Sequence, residues 1–134
     1  MPGIVSGVGG SLDENWQASA SKGLGSSIPS VVADALRGRQ YAEFRNLKRA
    51  IWREMSKHPE MLTNMDETNI KLIKKGNAPI VPKGERKGGR MWYEIHHIKP
   101  ISKGGDVYGV DNLGFNSPAN HDKIHNELRN QEGH

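Results

Sequence analysis

The chain has 134 residues, 34% hydrophobic and 25% charged, enough for one core and too few for two. No stretch approaches the roughly 18 uninterrupted apolar residues of a membrane span, and the opening MPGIVSGVGG has neither the basic start nor the apolar run of a secretory signal. Cysteine is absent, which excludes disulfides, thiolate metal sites and a cysteine nucleophile. The net charge of +4 is unevenly spread. Residues 71–103 hold nine basic side chains against Glu85 and Glu94, and residues 37–57 hold seven against Glu43 and Glu54. Such local excess suits a phosphate backbone, although charge alone more often marks a solvated face.

In chain order, residues 1–27 are rich in Gly and Ser and, apart from Trp16, poor in large apolar residues. They read as an irregular lead-in with one tethered turn, ahead of a domain over 28–134. Ser27-Ile28-Pro29-Ser30 opens a helix running to about Leu36 and stopped by Gly38. Over 40–57, Tyr41, Phe44, Leu47, Lys48, Ile51, Trp52 and Met55 recur at steps of three and four, predicting an amphipathic helix closed by Pro59, with Phe44 and Trp52 in the core. A shorter helix is expected over 66–75, ended by Gly76. Pro79, Pro82, Gly84, Gly88 and Gly89 keep 77–90 irregular. Residues 90–98 read as a strand ending before Pro100, Gly104-Gly105 as a turn, and Leu113–Asn116 as a returning strand. Ser117-Pro118 then starts a helix to about residue 130. The fold class is α+β: a mostly helical N-terminal part followed by strand, turn, strand and helix.

Four of the six histidines lie in that last stretch: His96 and His97 on the strand, His121 and His125 on the helix. Positions i and i+4 project both helical imidazoles from one face, and a strand-borne histidine opposite completes a three-nitrogen site. Three protein ligands leave positions open for water or substrate, as in a catalytic metal centre. Three imidazoles suit Zn, Ni or Co, whereas Mg prefers oxygen; Mg or Mn stay open for turnover. Strand alternation puts Arg90, Trp92, Glu94 and His96 on one face, so that Arg90 can hold a phosphate and Glu94 orient it. The bland alternative for those two is a plain surface ion pair, which contributes little by itself. Alternation also sends His97 away from His96, unless the strand distorts near Pro100. His58 and His134 stand alone and are assigned no role.

Glu94-Ile95-His96-His97-Ile98-Lys99-Pro100, then Asp111-Asn112-Leu113, then His121 and His125 resemble the HNH, or ββα-metal, nuclease motif. The similarity is closest to the DNase domains of E-group colicins and S-type pyocins. It extends to Gly88-Gly89-Arg90, to Tyr41 through Glu54, and to Ser56 through Glu60, covering roughly residues 28–126. The resemblance implies that His96, His121 and His125 bind one divalent metal and that His97 is the general base. It implies that Asn112 pins the loop between the strands, and that Arg90 contacts phosphate with Glu94 as its partner. It further implies sequence-nonspecific hydrolysis of double-stranded DNA by a monomer. The setting would be the toxic part of a larger secreted bacterial protein acting in the target-cell cytoplasm, with an acidic immunity protein docking near 71–87.

Two departures stand out. The family's basic N-terminal arm, with its phosphate-contacting Arg, would end about where Met1-Pro2-Gly3 begins, so weaker DNA affinity is expected. Ile80 stands between Pro79 and Pro82 where the family carries an aromatic residue, so inhibitor specificity must differ. The rival reading is a non-catalytic zinc-stabilised DNA-binding module, which leaves His97 without a task. An RNase, a site-specific HNH endonuclease and an inactive inhibitor-binding fold are further alternatives.

Overall fold

The computed structural model describes residues 1–132, with side chains through Glu127. Gly133 and His134, the end of the expected 28–134 unit, lie outside the described residues. In chain order the elements are β1 (Gly3–Ile4), α1 (Trp16–Ser19), β2 (Ser26–Ser27), α2 (Ser30–Leu36), β3 (Gln40–Tyr41), α3 (Phe44–Met55), α4 (Glu67–Lys74), β4 (Glu94–His97), β5 (Leu113–Asn116) and α5 (Pro118–Glu132). β1 pairs with β3, and β5 lies between β2 and β4; these strands all pair antiparallel. Among the described residues no helix is long and apolar enough to cross a membrane.

The core forms where the apolar stripe of α3 meets the second sheet. Leu47, Ile51, Trp52 and Met55 recur at helical spacing and are all buried, against Val32, Ala33 and Leu36 of α2 and Leu113 and Phe115 of β5. Trp52 stacks on Phe115 with ring centroids 4.7 Å apart. α4 is started by Asp66, whose carboxylate accepts the amide of Asn69 at 2.8 Å. Asn69 in turn accepts the amide of Ile80 at 2.8 Å, which ties the proline-rich segment to this helix.

Three local expectations change. The Gly/Ser-rich opening segment is woven into the body: Val5, Trp16 and Ala20 are buried, β1 pairs with β3 and β2 with β5. The helix expected over 40–57 spans Phe44–Met55, because Gln40 and Tyr41 are drawn into backbone pairing with Ile4 and Gly3. The strand expected over 90–98 is confined to Glu94–His97. Upstream of it Trp92 bridges back to Ile80 and Arg90 to Lys87, since the Gly88-Gly89 turn folds the chain onto itself.

Trp16 shows how deeply the opening segment is committed. It is 1% exposed, donates its indole N–H to the Met61 carbonyl at 3.0 Å, and lies 5.1–5.8 Å from the rings of Tyr93, Phe115 and Trp52. Trp16→Ala is therefore expected to destabilise the domain by about 3–5 kcal/mol in urea unfolding, and Trp16→Phe by much less. A loss below 1 kcal/mol for the alanine variant would mean that the segment is not part of the core.

Candidate active site

The register of β4 on β5 sets Glu94 opposite Asn116, Ile95 opposite Phe115, His96 opposite Gly114 and His97 opposite Leu113. Alternation then divides the ribbon. Glu94 and His96 face α5, whereas His97 faces α3, its ring 4.6 Å from that of Phe44.

On the α5 side the polar groups form a chain. Arg90 grips Glu94 with two hydrogen bonds, 2.9 Å from Nε and 2.6 Å from a terminal nitrogen. Its other terminal nitrogen reaches Asp122 at 2.7 Å. Three of its five donors are thereby used among the described residues, leaving two for an incoming anion. Glu94 also accepts from His121 Nδ1 at 2.8 Å, and His121 Nε2 lies 2.9 Å from His125 Nε2. Burial pushes the Glu94 carboxyl up, but hydrogen bonds from His121 and Arg90 outweigh this and hold it at about 2. The same two carboxylates hold Arg90 far above its usual range, and Arg90 draws Asp122 down.

His96 is buried and donates Nδ1–H to the Gly114 carbonyl at 2.9 Å; the Asn116 amide lies 3.0 Å from its Nε2. Gly114 lets the His96 ring pack closely, since a Cβ there would sit 3.0 Å from His96 Cε1. Burial pushes the His96 imidazole down to about 4, so it is neutral at physiological pH.

His97 is positioned separately. Its Nε2–H donates to the Val107 carbonyl at 3.0 Å, which leaves Nδ1 as the basic nitrogen. The loop supplying that carbonyl is tied by Asn112, whose side chain accepts from the Lys99 amide (2.8 Å) and donates to the carbonyls of Lys99 (3.1 Å) and Asp106 (2.9 Å). A groove of about 550 Å³ runs from Arg90, Glu94 and His121 to Arg45, Lys48, Arg49 and Trp52 on α3.

The structure thus joins Arg90, Glu94, His121 and His125, places His96 beside them with its ring 5.2 Å from that of His121, and holds His97 on the opposite side of the ribbon. Among the described residues no three His, Asp or Glu side chains converge as a finished ligand set. The donor chemistry nevertheless suits a transition metal. The Glu94 carboxylate holds the proton on His121 Nδ1 and leaves Nε2 bare, the outer-shell arrangement that orients metal-ligating histidines. The 2.9 Å between His121 Nε2 and His125 Nε2 is a few tenths short of the about 3.3 Å that two imidazoles on a tetrahedral ion require. Asp122, Asn116 and Phe44 are site residues that sequence reasoning missed. No spacing marks them; Asp122 is merely the acid beside His121.

A family model for the colicin/pyocin-S2 DNase domain matches residues 3–127. The chain belongs to the colicin/pyocin DNase domain family. Colicin-E8 of Escherichia coli is 38% identical over 124 residues, 92% of this chain, and Pyocin-S2 of Pseudomonas aeruginosa is 36% identical over 125 residues, 93% of it. The chain spans only 60% of the length of the former and 18% of the latter. The DNase of the pyocin AP41 DNase–immunity complex superposes with a TM-score of 0.92 at 38% identity, covering 95% of this chain and 99% of that one. The mutant nuclease domain of pyocin S8, crystallised with its cognate immunity protein, gives 0.87 at 40% identity, covering 91% and 98%. As a colicin/pyocin-type DNase domain, the chain is a DNA endonuclease, a hydrolase of phosphodiester bonds, and its α+β fold is that of the family.

The lowered His96 and Glu94 each carry a pH-dependent share of stability. His96 titrates near 6.5 when unfolded and about 4 when folded, so the stability it lends is complete above pH 6.5 and is lost as pH falls from 6.5 to 4. Glu94 contributes above about pH 4.5 and is lost towards pH 2. Chelator-treated protein should lose about 3 kcal/mol between pH 6.5 and 4 in denaturant titrations, and His96→Asn should flatten that interval. An unchanged slope in the variant would remove His96 as its source.

Proposed function

We propose that the domain hydrolyses double-stranded DNA with little sequence preference, using His97 as general base and a divalent metal held by His96, His121 and His125. The observation that carries this reading is the pairing of two prepared groups: an imidazole fixed through Nε2 with its Nδ1 basic, and a caged arginine with two donors unused. Arg90 takes a phosphate oxygen on those donors, with Glu94 and Asp122 keeping its plane fixed. His97 Nδ1 accepts the proton of the attacking water while the Val107 carbonyl prevents the ring from turning. Arg45, Lys48 and Arg49 line the groove and offer the backbone charge without base-specific geometry. A divalent ion held by His96, His121 and His125 would supply positive charge where negative charge builds during hydrolysis. Zn, Ni or Co suit three imidazoles, with Mg or Mn open for turnover.

The test is nicking of supercoiled plasmid by chelator-treated protein with Mg, Mn, Ni or Zn restored singly. Parent protein should nick with at least one ion, while His97→Ala should lose at least about 100-fold in rate and still bind the ion by calorimetry. DNA and metal binding with no nicking under any ion would put a zinc-stabilised binding module in its place.

The domain is further proposed to act as the cytotoxic part of a longer secreted bacteriocin-like protein, reaching DNA in the target-cell cytoplasm as a monomer. Colicin and pyocin names among its relatives, and immunity proteins in the related complexes, support this. Its own immunity protein would be acidic and dock near 71–87, where Lys71, Lys74, Lys75, Lys83, Arg86 and Lys87 face only Glu85. Lys74→Glu with Lys87→Glu should slow association with that protein by about ten-fold at low salt in stopped-flow mixing and leave nicking intact. An unaltered association rate would move the docking surface elsewhere.

A further inference from the structure

We infer that Asp111 is a positioning residue for the hydrolysis, acting by clamping the loop that aims His97 onto the N-terminal segment. This inference rests on the assignment of His97 as base. The orientation of His97 depends on the Val107 carbonyl, and Val107 lies in a stretch between β4 and β5 with only two short 3-10 turns, Ile101–Lys103 and Val110–Asn112. Asn112 secures this loop from within, to Lys99 and Asp106. Its outer side is secured by residues a hundred positions away in sequence. Ser6 donates to the Tyr108 carbonyl at 3.1 Å and accepts from the Val110 amide at 2.9 Å, so the loop backbone is bridged to the opening segment on both sides of Gly109.

Asp111 closes the contact. One carboxylate oxygen accepts the Val8 amide at 3.1 Å and the other accepts the Gly9 amide at 2.9 Å. Two adjacent amides can point at one carboxylate because Gly7 takes φ +100°, a conformation an L side chain rarely adopts; a Cβ there would also lie 2.9 Å from Val110 Cγ2 and 3.0 Å from Asp111 Oδ2. The gripped segment is itself held at both ends. Val5 exchanges backbone hydrogen bonds with Gly38 and Arg39, and Gly10 with Ile28 and Ser30, all at 2.8–2.9 Å. Movement of Val8 and Gly9 is therefore movement of the body, and Asp111 passes that rigidity to the loop.

Neighbouring residues thus pull in two directions, Asn112 toward Lys99 and Asp111 toward the opening segment, and between them they fix the Val107 carbonyl. Asp111 is exposed, so its loss leaves no buried unpaired group. The consequence falls on geometry, where a misplacement of about 1 Å costs up to about 100-fold in rate.

Cleavage of a fluorescent duplex, at saturating levels of whichever of Mg or Ni supports parental nicking, reads this out. Asp111→Ala should lower kcat about ten-fold with KM within about two-fold and the melting temperature nearly unchanged. Asp111→Asn, which keeps one acceptor, should recover a good part of the loss. Gly7→Ala attacks the clamp from the other side, and the double variant should be no slower than the worse single one. Amide hydrogen exchange should quicken across 106–111 while that of α3 holds. Parental kcat in Asp111→Ala, a loss confined to KM, a loss matched by the unfolded fraction, or losses that multiply in the double variant would each overturn the inference. Full activity in His97→Ala would instead overturn the assignment of the base, which separates the two failures.

Discussion

Everything in the site hangs on the four-residue pairing of β4 with β5. That short antiparallel ladder has a period of two, so it sends Glu94 and His96 toward α5 and His97 toward α3. A slip of β4 by one residue would set the arginine-bound carboxylate opposite Phe115, on the core face. The register is held by the apolar side: Phe115 is fully buried and stacked on Trp52, and Leu113 is buried beside it. The hydrophobic core therefore aims the polar residues, although it shares almost no atoms with them.

The polar side is prepared before any substrate arrives. Arg90 is neutralised by Glu94 and Asp122, Glu94 is shared with His121, and His121 meets His125 nitrogen to nitrogen. Each bond fixes the direction of the next, so tautomers and planes are set by the network and not by the reaction. His97 belongs to a second network, built from the Val107 carbonyl, Asn112 and the Phe44 ring.

Much of this was legible in the residues. The histidine pair at 121 and 125, the strand-borne His96 and His97, the Arg90–Glu94 partnership and the place of Asn112 follow from spacing or from the HNH resemblance, and the helices over 30–36 and 67–74 begin after Pro29 and Asp66 and end ahead of Gly38 and Gly76. That the irregular opening segment packs into the body left no trace in the sequence, because its contribution is backbone pairing and one tryptophan, neither of which makes a periodic pattern. The strand over 90–98 was overextended because alternation is blind to competition: Ile80 and Lys87 claim the backbone of Trp92 and Arg90. Asp122 and Asn116 carry no motif, since their roles depend on distances across the fold.

Local chemistry is what the sequence by itself determined: which side chains are of a type suited to a phosphate or a metal, which helices are amphipathic, and that the chain is α+β with a strand–turn–strand–helix ending. These follow from residue type and from spacings shorter than ten residues. The tertiary structure alone decided which groups meet. Arg90 finds Asp122 across 32 positions, Glu94 finds His121 across 27, and Asp111 finds Gly9 across 102. Contacts of such separation are set by how the core closes, and no local pattern records them.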